Sequence, residues 1–319
     1  MRRRDLLGLA AAAPALMLGR SAAAAFPERD IAFVIPDGPG GGFDSYVRAI
    51  APAMEAALPH KVNVVPTNVP GAGGARAASE IFRAKPDGTM IGIFNVPGIT
   101  VQQMRGAGGF DLDKFTWLGR AGEDHYALAV GVNSPLQSVA DLKALSQTRP
   151  IKFTSTGPAG TAYTATQIAA HLLGLRAQLI TGYKGSSDYV VAAIRGDGDA
   201  VIAALPLLRR MAAGKTLRIL ATFEAQSTVP GVPDARALGQ PELAQLAVER
   251  LVAGPPGLSD EVKATLAGAL SNAMKAPQLA AWAKTADADL SPATPEQAAA
   301  ILHEQAAFVR KWQSVLPAN

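Results

Sequence analysis

The sequence predicts an α/β fold of parallel strand–loop–helix units, and three stretches carry that prediction. First, a β-branched apolar run at residues 31–35 (IAFVI) leads into Gly38, Gly40, Gly41 and Gly42, and then Val47, Ile50, Ala51, Met54 and Leu58 recur at helical spacing. Second, a strand-like run at 62–65 leads into Asn68-Val69-Pro70-Gly71-Ala72-Gly73-Gly74 and a helical pattern over 75–83. Third, after the turn Pro86-Asp87-Gly88, a strand at 90–94 ends at Asn95-Val96-Pro97-Gly98. Strands alternating with helices through short loops give a parallel sheet, and ligands of such sheets lie beyond the carboxyl ends of the strands. The loops in question stand there.

The first loop has chemistry of its own. Glycines bare backbone N–H groups, and Asp44 and Ser45 mark a helix start, so free amides and the positive end of a helix dipole converge on one turn. An anionic group fits such a turn, although a plain tight connection would use the same glycines. A dinucleotide fingerprint would need glycine where Phe43 or Ser45 stands, and no G-x-x-x-x-G-K-[ST] occurs, so both phosphate motifs are excluded.

Residues 1–25 read as an export signal. Arg2, Arg3 and Arg4 precede an apolar stretch at 6–18, and Ala23-Ala24-Ala25 forms a small-residue cleavage pattern before Phe26. Arg3-Arg4-Asp5-Leu6-Leu7 is similar to the twin-arginine motif, which favours the Tat route over Sec. The 13 apolar residues are too short to span a bilayer. Cleavage would remove Arg2, Arg3, Arg4, Arg20 and Asp5 from totals of 30 bases and 26 acids, so the formal charge falls from +4 to +1. The high pI therefore gives no reason to expect nucleic acid as a partner. The chain has no cysteine. That excludes a disulfide framework, thiolate metal sites and a lipid-anchored N-terminus. A free periplasmic protein is the expected product. Its remaining residues can bury a large core and stand near the length at which chains split in two.

The second half also reads as α/β, with strands expected at 126–132, 151–154, 178–181, 200–204 and 217–222. A last helix beginning at Pro295 and Glu296 places Ala298, Ile301, Leu302, Val309, Trp312 and Leu316 on one face, which is core packing.

Several short motifs now stand in a fixed order: residues 36–44 with their glycines, N-x-P-G-A-G-G at 68–74, and Pro86-Asp87-Gly88. Ser138-Val139-Ala140-Asp141-Leu142, the hydroxyl-rich loop at 155–163, and Tyr183-Lys184-Gly185 follow. Gly196 to Asp199, Val229-Pro230-Gly231-Val232-Pro233 and Ala253-Gly254-Pro255-Pro256-Gly257-Leu258 complete the set. Together they resemble the Bug-type (TctC-like) periplasmic solute receptors of tripartite tricarboxylate transporters, over essentially the whole mature chain. Phe43 stands where that family commonly has Thr, Gly182 replaces its Pro, and Tyr163 falls near its frequent His or Asn. The loop at 155–163 is altered as well, so the family's ligand does not transfer.

The resemblance implies a two-lobed periplasmic-binding-protein architecture (Venus flytrap, type II-like) with a cleft between the lobes. Lobe 1 would comprise 26–125 and 250–319, and lobe 2 would comprise 126–249. Crossing strands would lie near 126–132 and 249–254. The candidate ligand residues are Pro36, Gly38, Gly40, Gly41, Gly42, Phe43, Asp44, Gly71, Gly73 and Asn95 from the first half. Ser155, Thr156, Gly157, Gly160, Thr161, Tyr163, Tyr183, Lys184 and Asp199 come from the second. Two helix N-termini facing across the cleft would hold a carboxylate with amides, hydroxyls and water, without an arginine. Lys184 would add a positive charge, and Phe43, Tyr163 and Tyr183 would stack on a flat acid or wall the cleft.

No catalytic, metal-binding or cofactor residue emerges. His60, His125, His171 and His303 are scattered, no G-x-S-x-G elbow occurs, and no thiol exists. The expected function is a monomeric receptor that captures a small carboxylate, closes on it and delivers it to membrane permease subunits. A periplasmic α/β hydrolase-like enzyme and a sensor partner without transport remain as alternatives.

Overall fold

The structure is a computed structural model that describes residues 26–183 and 185–316. The export signal at 1–25 and Lys184 lie outside the described residues.

In chain order the elements are β1 (Ile31–Ile35), α1 (Gly42–Ala57), β2 (Val64–Asn68), α2 (Ala75–Phe82), β3 (Met90–Val96), α3 (Gly98–Met104) and β4 (Thr116–Gly131). Then come α4 (Val139–Thr148), β5 (Ile151–Thr154), α5 (Thr161–Leu172), β6 (Ala177–Ile180), α6 (Ser186–Arg195), β7 (Ala200–Ala204), α7 (Leu205–Ala213) and β8 (Leu217–Thr222). The chain ends with β9 (Ala247–Gly254), α8 (Asp260–Ala273), α9 (Pro277–Ala286) and α10 (Pro295–Lys311).

The strands run in the order β2-β1-β3-β9-β4-β7-β5-β6, with β8 also paired to β4. β1 is parallel to β2 and β3, and β5 is parallel to β6 and β7, as the alternating pattern predicts. β4 joins the two groups. Its residues 116–125 pair antiparallel with β9, and its residues 126–131 pair with β7 and β8. The fold is therefore a two-lobed α/β structure in which β4 and β9 run through the junction.

Alternation along the strands covers both faces of the sheet. Ile31, Phe33 and Ile35 of β1 and Ile91 and Ile93 of β3 pack in one core with Val47, Ile50 and Met54 of α1. Val34, Phe94 and Val96 point the other way, into a core with Ile81 of α2 and Ala298 and Leu302 of α10. Strands buried on both faces read as continuous apolar runs, which is why β1, β3 and β7 were recognisable. Each large side chain so buried contributes roughly 1.5–3 kcal/mol. Ser138 with Asp141 and Thr294 with Gln297 form capping boxes that start α4 and α10.

Apart from shifts of one or two residues at β3 and β6, two boundaries differ from expectation. β2 begins at Val64 and runs to Asn68, because its pairing with β1 carries it past the apolar run. β4 begins at Thr116, ten residues before the expected strand. Register shifts between Trp117 and Gly119 and between Arg120 and Gly122 break its alternation, so its first part has no period to detect.

Candidate functional site

The turn after β1 is held by Asp44. Its carboxylate accepts hydrogen bonds from the Gly40 amide at 2.9 Å, from Arg48 Nε at 2.9 Å and from Asn68 Nδ2 at 3.0 Å. The Arg48 bond, reinforced by the other two against the cost of burial, pulls the Asp44 carboxyl down to about 2. Asp44 thus fastens the loop rather than facing a ligand. Gly40 adopts φ +80°, a conformation open to glycine at no steric cost. Gly41 then caps α1 without a side-chain hydrogen bond, and no partner among the described residues takes up the amides of Gly42 and Phe43.

The turn after β5 ends in the same way. Gly160 donates its amide to the Gly157 carbonyl at 2.8 Å and caps α5 with no side-chain bond. Gly185 does likewise for α6. Three helix N-termini with bare first-turn amides therefore open on one cavity of 680 Å³. Each favours negative charge.

Fourteen of the sequence candidates line this cavity: Pro36, Gly38, Gly40, Gly41, Gly42, Phe43, Gly71, Gly73, Asn95, Thr156, Gly157, Gly160, Thr161 and Tyr183. Four stand outside the lining. Asp44 is the loop fastener described above. Ser155 continues the sheet, donating its amide to Ile180 at 3.0 Å, and is fully buried. Tyr163 comes two residues after Thr161, which turns it about 200° round α5 and away from the cavity. Asp199 forms a bidentate pair with Arg149 at 2.7 and 2.8 Å and accepts from the Lys152 amide at 2.8 Å, so it pins the start of β7.

The lining also holds residues that the sequence did not single out, chiefly Asp37, Tyr126, Ser186, Asp188, Val248 and Arg250. Arg250 corrects the expectation of an arginine-free cleft. It is 4 % exposed, and its Nη2 lies 2.6 Å from Asp124 Oδ2. Its guanidinium stacks over the rings of Tyr46 at 4.1 Å and Phe43 at 5.1 Å. Phe43 is therefore engaged by an internal cation, and its ring is 7 % exposed. Arg250 Nε, Asn95 Oδ1, Thr156 Oγ1 and Thr161 Oγ1 are buried without a partner among the described residues. Orphaned polar atoms of this kind are rare in folded proteins and mark a place where a ligand or ordered water belongs. Beside Arg250 on β9, burial and the nearby Glu123 raise Glu249 to about 7, with Arg120 pulling it back.

The two lobes meet along one side of the cavity. Gln102 of α3 donates to the Ala159 carbonyl at 3.0 Å, and Arg105 donates to the Pro158 carbonyl at 3.1 Å. Gly73 and Gly98 permit this approach. A Cβ at Gly73 would overlap the Ala159 carbonyl oxygen, and one at Gly98 would overlap Thr161 Oγ1.

A family model described as "TctC: Tripartite tricarboxylate transporter family receptor" matches residues 46–316. The chain belongs to that family. As a TctC-family receptor it is 28% identical over 326 residues to the "UPF0065 protein in tcbD-tcbE intergenic region" of Pseudomonas sp. strain P51, covering 99% of this chain and 94% of that one. It is 25% identical to Protein BugT of Bordetella pertussis, covering 91% and 89%. Among solved structures, periplasmic binding protein BugD superposes with a TM-score of 0.80 at 19% identity, covering 91% of this receptor and 98% of that chain. MatC of Rhodopseudomonas palustris "with bound malate" superposes at 0.78 and 21% identity, covering 92% and 100%. Rpa4515 of R. palustris "with adipate" superposes at 0.77 and 22% identity, covering 91% and 97%. At these identities the superpositions show that the receptor has the two-lobed fold of periplasmic binding proteins. Among the described residues, no helix is long and apolar enough to cross a membrane.

Proposed function

We propose that this receptor works in the periplasm, capturing a small organic carboxylate in the cavity between its lobes and delivering it to the membrane permease of a tripartite transporter. The observation that carries the reading is the convergence of three uncapped helix N-termini, with orphaned buried polar atoms, on a single 680 Å³ cavity. Amides at α1 and α5 would grip the carboxylate from opposite lobes, with Thr156, Thr161 and Arg250 Nε completing the donors. Structural neighbours bound to malate and adipate support a carboxylate. The lobes would comprise 26–125 with 250–319, and 126–249, hinged where β4 and β9 cross. The receptor would bind without turnover and act as a monomer.

A thermal-shift screen of residues 26–319 tests the ligand class. A bound acid raises the melting temperature by mass action, and its methyl ester or amide fails to do so. Equal shifts from acid and ester would remove the carboxylate from the proposal.

A further inference from the structure

Among the described residues, the cavity is lined by three charged side chains: Asp37, Asp188 and Arg250. Asp188 is exposed at the start of α6. Arg250 is paired with Asp124, so as a cation it is already matched. Asp37 differs from both. It is half-buried, and among the described residues no hydrogen bond or ion pair reaches its carboxylate, while its own carbonyl accepts from Asn68 Nδ2 at 2.9 Å. The same wall carries a second unmatched acceptor. A Cβ built on Gly74 would lie 3.4 Å from Pro36 Cβ and 3.7 Å from Asn95 Oδ1, so Asn95 and the residue before Asp37 flank one glycine. Asn95 is 7 % exposed, and its Oδ1 has no partner.

We infer that Asp37, with Asn95 Oδ1 lining the same cavity, forms a subsite for an amino group, so that the ligand is an amino-substituted carboxylic acid rather than a plain dicarboxylate. This rests on the carboxylate reading above and narrows it. The helix N-termini and Arg250 Nε supply donors, which suit a carboxylate. Asp37 and Asn95 supply acceptors, which suit an ammonium. A ligand bearing only carboxylates would bring its charge against an Asp37 that no hydrogen bond or ion pair matches among the described residues, and closing the cleft over that contact costs free energy. Burial already pushes the Asp37 carboxyl up, with the charge of Arg250 pulling the other way, and an ammonium would reverse that penalty.

The test is calorimetric titration of residues 26–319 with matched acids: succinate against aspartate, glutarate against glutamate, and adipate against 2-aminoadipate. The amino acid of at least one pair binds the wild-type protein at least tenfold tighter than its partner. In Asp37→Asn, which removes the charge and keeps the shape, that ratio falls to within about twofold. A plain acid that binds as tightly as its amino counterpart in every pair overturns the inference and leaves the carboxylate reading standing. So does a preference that survives unchanged in Asp37→Asn. If no acid of either kind binds, both readings fall. The wild-type ratio is read without any variant, so a poorly folded Asp37→Asn protein would not shield the inference.

Discussion

The turn that opens α1 and the turn that opens α5 present bare amides to the same cavity, but they are held in different ways. The first is fastened from within. Asp44 ties the Gly40 amide, Arg48 and Asn68 together, all inside one lobe. The second has no such carboxylate. Thr156 Oγ1 and Thr161 Oγ1 lack partners, and the carbonyls of Pro158 and Ala159 are taken by Arg105 and Gln102 from the opposite lobe. On the proposed function, one half of the site would be set before the ligand arrives and the other would be set by closure. Binding proteins that close on a ligand need such a division, because a cleft rigid on both sides would gain nothing from the motion.

The largest effect should come from breaking the internal fastener. Asp44→Asn should lower stability at pH 7 by about 2–3 kcal/mol, a fall of about 5 °C in melting temperature, and should abolish ligand-induced stabilisation. The sign of its pH dependence follows from the lowered carboxyl. Asp44 titrates at about 2 in the folded chain against a usual value of 3.8, so its contribution is full above the usual value and is lost as pH falls towards 2. Chemical denaturation between pH 5 and pH 2 should therefore show a loss in the wild type that Asp44→Asn lacks in part. Equal acid sensitivity in the two proteins would mean that the first turn does not depend on this carboxylate.

Closure should be next in size. Gly98 does not need a left-handed conformation, and apart from a tight 3.0 Å approach to Asn95 Oδ1 an alanine there would meet its main obstacle across the cavity. When the lobes meet, its Cβ would run into Thr161. Gly98→Ala should weaken binding at least tenfold, about 1.4 kcal/mol, with only a small fall in the melting temperature of the ligand-free protein from the contact with Asn95. Solution scattering should show the wild type contracting on saturation and the variant contracting less. Full contraction of Gly98→Ala at wild-type affinity would show that the second turn is as preformed as the first.

The difference between the turns also explains what the sequence could and could not disclose. Glycines and hydroxyls ahead of a helical pattern are local signals, so both turns and about half of the lining were legible. Partners distant in the chain were not. Asp37 stands in P-D-G-P, where aspartate ordinarily serves the turn itself, and only the folded cavity shows that its carboxylate has no such bond. Arg250 sits within the strand AVERLVAG, and its two consecutive charges in a fully buried run were the available hint. What matches it, Asp124, lies 126 positions earlier. Asp199 misled in the opposite direction. Its place before a strand suggested the pocket, but Arg149, 50 residues away, holds it at the lobe's edge.

The smallest expected effect is also the most specific to the second turn. Gln102 donates to the Ala159 carbonyl across the cavity, and if the lobes open as proposed, water would meet both groups in the open protein. Replacing Gln102 with alanine therefore removes a bond from the closed state and leaves the open state almost unchanged. A neutral hydrogen bond of this kind is worth about 0.5–1.5 kcal/mol, so affinity should fall by roughly two- to tenfold. The kinetics discriminate further. Encounter with the ligand precedes closure, so the association rate should hold while dissociation quickens, as stopped-flow fluorescence would resolve. Asp44→Asn should instead depress association, because the first turn would no longer present its amides in place. If Gln102→Ala slows association and leaves dissociation untouched, the contact belongs to a preformed wall, and the contrast between the two turns disappears.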